Sequence, residues 1–563
     1  MAEITGLALG VVSVLTALRG TLDTALLIDS YLDDEKTNCN YLALRYHIEK
    51  TRLGLWLKVY NTDDLSKCGL RYQPQAIQTL VVQILGQIKQ LLDELQKLVK
   101  RHNIGTPVLP PDDTAGASQS RDVVVKALSK MRVKPKAKFL WVIKGKAEFE
   151  EKVSQISTLV KDLQSFTISV SESQSIDRAL PSISLKPITN TKMLQTLQAP
   201  ETNVSAALGM SAKVKLLQNF PAWPPDGGSA TVLTNNQLRL LPDSHTLGIL
   251  ELPLARSVPV WVEWSIVSDG TATPEYIRRI KALGYLLEEA GDPALRLPVC
   301  YGIFDDLAYE VQFGARRIGY VFGAPHAGHG SPSPAYPFPQ LGYEGGFRNH
   351  PPRTLSDLIR DSEAFSMPLL GDRFALALTL ATAFSNFHSA GWLHKGFHSG
   401  NIIFLAHPFG QQASIRVTDP FITGFQYSRP TDAHSLSRGP LENSELEYYY
   451  HPSADKGFSR RIDLYSLGVV LCEIGRWGLV SSTVSDRRRR TMVDRSAWCN
   501  YLASKVLPDM GWRMGEKYQS VVRILLQCQL PNDDDDGGGG DDEGFFEQQY
   551  FEKVIQPLSA CSA

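Results

Sequence analysis

A short polar loop between two apolar segments carries the residues best suited to chemistry. His394 begins the loop and Asn401 ends it, just before the apolar run Ile402–Phe404. Asp419 and Asp463 follow further along the chain. Amide and carboxylate oxygens are ligands that Mg²⁺ accepts, as in phosphoryl transfer. That reaction relies on a Lys and a glycine-rich loop that hold phosphates, an Asp that binds Mg²⁺ and an Asp that orients the acceptor hydroxyl.

The loop resembles the catalytic loop of protein kinases, H-R-D-L-x-x-x-N. The separation of His394 from Asn401 matches that motif, and an apolar strand follows as expected. The resemblance gives Asn401 the metal-binding position and puts Gly396 where the catalytic Asp belongs.

A second segment, Arg461–Leu471, resembles the kinase helix D-x-W-S-L-G and includes Asp463. Before it, Tyr449–Ser453 stands where a kinase has A-P-E, with Ser453 in place of the Glu. Together these resemblances imply a bilobal α+β domain of the protein-kinase type.

The metal-binding motif D-F-G has two candidate positions. Thr418–Phe421 retains Asp419 but has a proline where the Phe belongs. Ile422–Gln426 keeps an apolar strand before Phe425 and has Gly424 in place of the Asp. We favour the second position, and the first stays open.

The strand that supplies the phosphate-binding Lys is also altered. Val260–Ser265 resembles V-A-I-K, with Trp264 or Ser265 in place of the Lys, and no G-x-G-x-x-G precedes it. Since each lost charge costs orders of magnitude in rate, we predict a pseudokinase with no catalytic residue, no cofactor and no metal site. Residual binding of ATP and Mg²⁺ through Asn401 stays open. An atypical active kinase that uses Asp419 and Asn401 is the alternative.

Three ordered segments in the first part of the chain resemble the fungal HeLo family: Gly6–Leu15, Leu44–Trp56 and Phe139–Glu150. The resemblance implies an all-α helical bundle whose N-terminal helix can enter membranes and kill the cell. The uncharged run Ile4–Leu18 is shorter than the ~20 residues that span a bilayer, so we expect a buried helix at rest and insertion only on activation. The membrane-active candidates are Ile4, Leu7, Val11, Val14, Leu15 and Leu18.

A basic stretch at Arg121–Lys146 is suited to anionic lipid headgroups. A solvated helix face, or a contact with the acidic tail, is the alternative interpretation. The headgroup candidates are Lys130, Arg132, Lys134, Lys136 and Lys138.

Periodicity and composition predict a multidomain chain with four regions. These are a HeLo-like bundle at 1–170, a linker or brace at 171–230, a kinase-like domain at 231–530, and an acidic glycine-rich tail at 531–563 with a terminal helix. The kinase-like domain divides into a small lobe at about 231–325 and a large lobe at about 326–530. We predict helices at 41–60, 76–102, 136–166, 275–289, 373–388 and 461–474, and strands at 258–266 and 318–322.

The overall composition excludes several classes of protein. The 58 basic and 59 acidic residues argue against a polycationic nucleic-acid binder. The seven dispersed cysteines form no C-x-x-C pair, which argues against a disulfide framework or a zinc site. The apolar N-terminus lacks the basic region of a secretory signal. We therefore expect a cytoplasmic protein that reaches the plasma membrane on activation.

These observations predict a non-catalytic effector of fungal cell death or heterokaryon incompatibility, in which a pseudokinase regulates a membrane-active bundle. We expect self-association, another signalling protein and, on activation, membrane lipids as partners, and no nucleic acid. The alternative is a scaffold that uses both domains for protein contacts only.

Overall fold

A computed structural model divides the chain into two compact units, Met1–Leu180 and Pro181–Ala563. The structure describes residues 14, 15, 18, 39–60, 68–101, 145–199, 205–218, 229–253, 256–267, 273–325, 346–409, 412–430, 446–483, 495–531 and 545–563. The boundary between the units falls inside one helix, at Pro181, where the ring removes a backbone donor.

The N-terminal unit is built from long helices. Its elements are α1 Cys39–Val59, α2 Gln75–Arg101, α3 Lys146–Thr167 and the first part of α4 Val170–Leu185. Both α1 and α2 pack against α3. The apolar repeat that predicts α2 is the buried stripe of that helix, and Ile88 is fully buried within it.

Polar contacts fix how α1 meets α3. The indole Nε1 of Trp56 donates a hydrogen bond of 2.8 Å to Oγ1 of Thr167, and the hydroxyl of Tyr60 donates to the carbonyl oxygen of Thr167. Trp56 is fully buried. Because a buried indole N–H needs an acceptor, Thr167 specifies the register of the two helices.

The segment predicted as a linker or brace is mostly helical where the structure describes it. It contains the rest of α4, followed by α5 Thr191–Gln198 and α6 Ala206–Gln218. Within the C-terminal unit, the hydroxyl of Ser385 donates a 2.8 Å hydrogen bond to Oγ of Ser182, and Lys213 pairs with Glu289 at 2.6 Å. These residues are part of the folded unit and do not form a loose connection.

A six-stranded mixed sheet forms one part of the C-terminal unit, in the order β1-β5-β6-β4-β3-β2. Its strands are β1 Val232–Leu233, β2 Leu238–Leu240, β3 Leu247–Leu252, β4 Arg256–Val267, β5 Val299–Asp305 and β6 Arg316–Gly323. Helix α7, Thr273–Ala290, packs against β5, and α8, Leu307–Phe313, joins β5 to β6. In the central pair, Glu263 of β4 stands opposite Tyr320 of β6.

Helices dominate the rest of the unit. They are α9 Gly346–Asn349, α10 Leu355–Arg360, α11 Leu370–Ser389, α12 Arg460–Arg476, α13 Arg495–Tyr501 and α14 Leu507–Leu526. One short strand, β7 Arg353–Thr354, comes just before α10. Six more lie between α11 and α12: β8 Trp392–Leu393, β9 Ile402–Phe404, β10 Ala406–Phe409, β11 Gln412–Ile415, β12 Phe421–Ile422 and β13 Arg429–Pro430. Helix α12 packs against α11 and α14.

The C-terminal segment returns to this helical part. It forms α15 Phe545–Tyr550, one π-helical turn at Phe551–Ile555, and α16 Gln556–Ser559. A buried ion pair joins Glu547 to Arg460 of α12 at 3.1 Å, and the hydroxyl of Tyr550 donates to the carbonyl of Ala381 at 2.9 Å. The terminal helix predicted from the sequence is therefore an integral element of the unit.

Candidate functional site

The candidate site is the loop His394–Asn401 together with the residues that hold it. Asp463, on α12, lies under the beginning of the loop and is fully buried. Its carboxylate accepts the backbone N–H groups of His394 and Lys395, each at 2.9 Å, and lies 3.0 Å from Nε2 of His388. Burial acts to raise the pKa of Asp463, but the hydrogen bonds from the His388 side chain and the His394 backbone oppose that rise, and the pKa lies below its usual value. Asp463 is thus an ionised anchor of the loop.

His394 connects this loop to the segment that follows β12. Its Nε2 lies 2.8 Å from the carbonyl oxygen of Thr423, so this nitrogen carries the proton and donates. The His394 ring packs against Phe425, with the ring centres 4.7 Å apart. Burial lowers the pKa of His394, so the ring is neutral and serves structure.

Asn401 is used within its own loop. Its Nδ2 donates a 2.7 Å hydrogen bond to the carbonyl oxygen of Gly396, the residue at the position of the catalytic Asp in the kinase resemblance. Its own carbonyl accepts the N–H of Thr423 at 2.9 Å. The side chain of Asn401 therefore braces the loop that it ends.

Gly424 is held tightly between Asn401 and the sheet. Its φ of 80° lies in the left-handed region, and an added Cβ would be 2.2 Å from Cγ of Asn401. On the other side, its N–H donates a 2.9 Å bond to Oε2 of Glu263. Burial raises the pKa of Glu263, and the bond from Gly424 opposes that rise. Neither a carboxylate nor any other side chain fits at 424 in this arrangement.

Glu263 is the residue that sequence reasoning missed. The strand resemblance offered Trp264 or Ser265 as the replacement for the phosphate-binding Lys, but the side chain that reaches Gly424 comes from Glu263. Trp264 lies on the opposite face of the strand, where its Nε1 donates to the carbonyl of His245 at 2.7 Å. The alternation of side chains along β4 is the signal that separates these two residues.

Asp419 lies apart from this cluster. It precedes β12 and pairs with Arg296 at 3.7 Å. The strand β12 then leads to Gly424 and Phe425, the arrangement expected for the second placement of the D-F-G motif. In the structure, Gly424 and not Asp419 adjoins Asn401.

Behind the loop, a buried hydrogen-bond chain runs from Ser399 to Glu473 of α12. Ser399 Oγ lies 3.1 Å from the hydroxyl of Tyr449, which donates to Oε1 of Glu473 at 2.8 Å. The N–H of Val480 donates to the same oxygen at 3.0 Å. Burial raises the pKa of Glu473 to about 7, against the opposing effect of these bonds. The sequence analysis did not single out Glu473.

The remaining predicted site residues belong to the N-terminal unit. Leu15 and Leu18 are buried and Val14 is half-buried, while Ile4, Leu7 and Val11 lie outside the described residues. The headgroup candidates Lys130, Arg132, Lys134, Lys136 and Lys138 lie outside them too. In the described part of the chain, no helix has both the length and the apolar character that a bilayer crossing needs.

Comparison with known proteins links the N-terminal region to one family. The model of the HeLo family, described as prion-inhibition and propagation, matches residues 6–197. This region is HeLo-like. The match runs past the predicted domain end at residue 170 and includes most of α5. The HeLo family implies signalling of the fungal cell-death or incompatibility type.

The C-terminal region matches a second family model. Residues 340–561 match the domain of unknown function DUF7580, which includes the loop, α12 and the terminal helices. Its description states no activity, so the kinase resemblance rests on the motifs themselves. No curated protein matches the chain.

Proposed function

We propose that the C-terminal unit is a non-catalytic, kinase-like regulator of a HeLo-like helical unit that acts on membranes when it is released. The HeLo match supports an effector of the fungal cell-death or incompatibility type. The motif resemblances and the geometry around the loop His394–Asn401 support the regulator. We also propose that the chain associates with itself and with a signalling partner. Release of the helical unit requires a ligand or partner that binds the released state better than the retained state.

The close packing of Gly424 against Asn401 is the observation that carries the non-catalytic part. A kinase needs one Asp to bind Mg²⁺ and another to orient the acceptor hydroxyl. The corresponding positions hold Gly424 and Gly396, and the Asn401 side chain occupies the space that a carboxylate at 424 would need. Asn401 itself donates to Gly396 within the loop. Loss of these groups together removes the electrostatic stabilisation on which phosphoryl transfer depends.

The burial of Leu15 and Leu18 supports a resting state in which these two apolar side chains are shielded from water. Exposing each leucine to water costs about 1.5–3 kcal/mol. Release therefore needs either a trigger or an apolar acceptor such as a bilayer.

Dye release from vesicles of anionic phospholipid tests the proposal. We compare the full chain with a fragment of residues 1–180, whose fold is checked by circular dichroism, and we use vesicles of neutral phospholipid as the control. The proposal expects leakage from anionic vesicles by the fragment and little by the full chain. A folded fragment that causes no leakage would instead support the scaffold that acts only through protein contacts.

A phosphorylation assay of the full chain tests the other alternative, an atypical active kinase. We expect no autophosphorylation with ATP and either Mg²⁺ or Mn²⁺. Incorporation that an Asp419→Ala substitution abolishes would establish the active kinase and end the non-catalytic proposal.

A further inference from the structure

Glu263 connects the six-stranded sheet to the loop of the candidate site, and the connection is direct. The carboxylate belongs to the central strand β4, and it accepts the N–H of Gly424 at 2.9 Å. Gly424 lies on the segment that follows β12, which pairs with β9 in a separate small sheet. This hydrogen bond is one of several polar contacts between the two parts, since the N–H of Ile422 in β12 also donates to the carbonyl oxygen of Arg296 at 2.7 Å, and Arg296 pairs with Asp419 at 3.7 Å.

The acidic residue at this position cannot supply the positive charge of a phosphate-binding residue. In a kinase the corresponding strand presents a Lys to the phosphates, whereas here Glu263 presents a carboxylate. The polar side chains on the same face of the sheet, Ser265 and Tyr320, are uncharged. A nucleoside triphosphate that entered here would meet a carboxyl group that offers no positive charge to its phosphates, and it would have to displace the Gly424 bond.

The local backbone favours this bond. Gly424 has the left-handed conformation that an L-residue adopts only with strain, and this conformation directs its N–H to the sheet. The preceding amide, of Thr423, donates instead to the carbonyl of Asn401 at 2.9 Å. The two adjacent amides therefore make different contacts: the amide of Gly424 bonds to Glu263 of the sheet, and that of Thr423 bonds to Asn401 of the loop.

We propose that Glu263 is a latch that, beside the Ile422–Arg296 and Arg296–Asp419 contacts, holds the segment that follows β12 against the six-stranded sheet. The latch goes one step beyond the proposed function, since it explains how a kinase-like unit keeps a fixed shape without the ligand that joins the two sides in an active kinase. It makes this contact a property of the chain itself, and withdrawal of Glu263 frees the amide of Gly424.

Hydrogen–deuterium exchange of the full chain, read by mass spectrometry at the amides of Thr423 and Gly424, tests the latch. The substitution Glu263→Ala removes the acceptor, and Glu263→Gln keeps an oxygen that can accept. Glu251→Ala is the matched control, because Glu251 is an exposed carboxylate on β3 whose partner is Ser257.

The latch predicts that Glu263→Ala speeds exchange at Gly424 by roughly fivefold or more, the size expected for the loss of a buried hydrogen bond. Exchange at Thr423 should stay close to wild type, as should exchange at Gly424 in the Gln and control variants. Unchanged exchange at Gly424 in a folded Ala variant would overturn the proposal.

The wild-type chain keeps the proposal testable if the Ala variant does not fold. Its Gly424 amide should exchange far more slowly than an unstructured amide, and a rate equal to that of an unstructured amide would overturn the latch. Vesicle leakage and phosphorylation, by contrast, test the proposed function. The latch and the proposed function can therefore fail separately.

Discussion

The buried carboxyl of Glu473 makes the stability of the C-terminal unit depend on pH. Burial raises its pKa to about 7 from the usual 4.5. In the folded chain Glu473 therefore keeps its proton between pH 4.5 and 7, while the unfolded chain has lost it. The folded state binds the extra proton, so the contribution of this group to stability falls as the pH rises through that window and stays low above it.

The substitution Glu473→Gln should remove this fall in stability with rising pH. The amide keeps an oxygen that can accept from Tyr449 and Val480, and it carries no charge at any pH. A displacement of about 2.5 pKa units at 1.36 kcal/mol each gives a gain of about 3 kcal/mol for the variant above pH 8, and almost none below pH 5. Arg360 contributes an opposing attraction that is already included in the pKa of Glu473.

Urea unfolding of the full chain is carried out at pH 5 and at pH 8. In the transition of the C-terminal unit, it measures the difference in the free energy of unfolding between variant and wild type. The exposed Glu251, changed to Gln, is the control and should give the same small difference at both values. A Glu473→Gln variant whose advantage does not grow with pH would refute the reasoning, since the carboxyl would then not be protonated in the fold.

Three further substitutions test individual contacts by urea or thermal unfolding. Asp463→Asn removes the charge that accepts two backbone N–H groups, and it should cost about 3 kcal/mol; a loss below about 1 kcal/mol would show that the anchor is not ionised. Gly424→Ala should cost about 2–4 kcal/mol, because an added Cβ overlaps the Asn401 side chain and the backbone is left-handed. Gly371→Ala is the control and should be tolerated, because an added Cβ there meets nothing within 4 Å. In the N-terminal unit, Thr167→Val deprives the buried Trp56 indole of its acceptor and should cost about 1–3 kcal/mol; no change would mean that the indole finds another partner.

The sequence was most informative where apolar periodicity is strong. The predicted helices at 76–102 and 461–474 correspond to Gln75–Arg101 and Arg460–Arg476, and the strand at 258–266 corresponds to Arg256–Val267. In these segments the buried face follows directly from the repeat.

Composition did not reveal the helices of the segment predicted as a linker or brace. Serine-rich stretches commonly mark loops, but a small hydroxyl can be buried in a helix when it finds a partner. Ser182 is buried and is bonded to Ser385, and the segment before it is helical. The partner is distant in sequence, so no local pattern shows that the serine is satisfied.

The sequence identified only part of the candidate site, because some of its contacts join residues that are distant in sequence. The motif spacing identified Asp463, His394 and Asn401, because these lie in two short segments that resemble known motifs. Glu263 and Glu473 were missed, because their roles arise from contacts with the amide of Gly424 and the hydroxyl of Tyr449, which only the tertiary fold brings near them.

The central claim is that the kinase-like site is non-catalytic and closed. Isothermal titration calorimetry of the full chain with MgATP tests this claim most directly. The account predicts no saturable binding at physiological nucleotide concentration, for the wild type and equally for Glu263→Gln. Saturable binding that a substitution at Asn401 abolishes would contradict it, because the side chain of Asn401 would then be holding a nucleotide and its metal and not bracing Gly396.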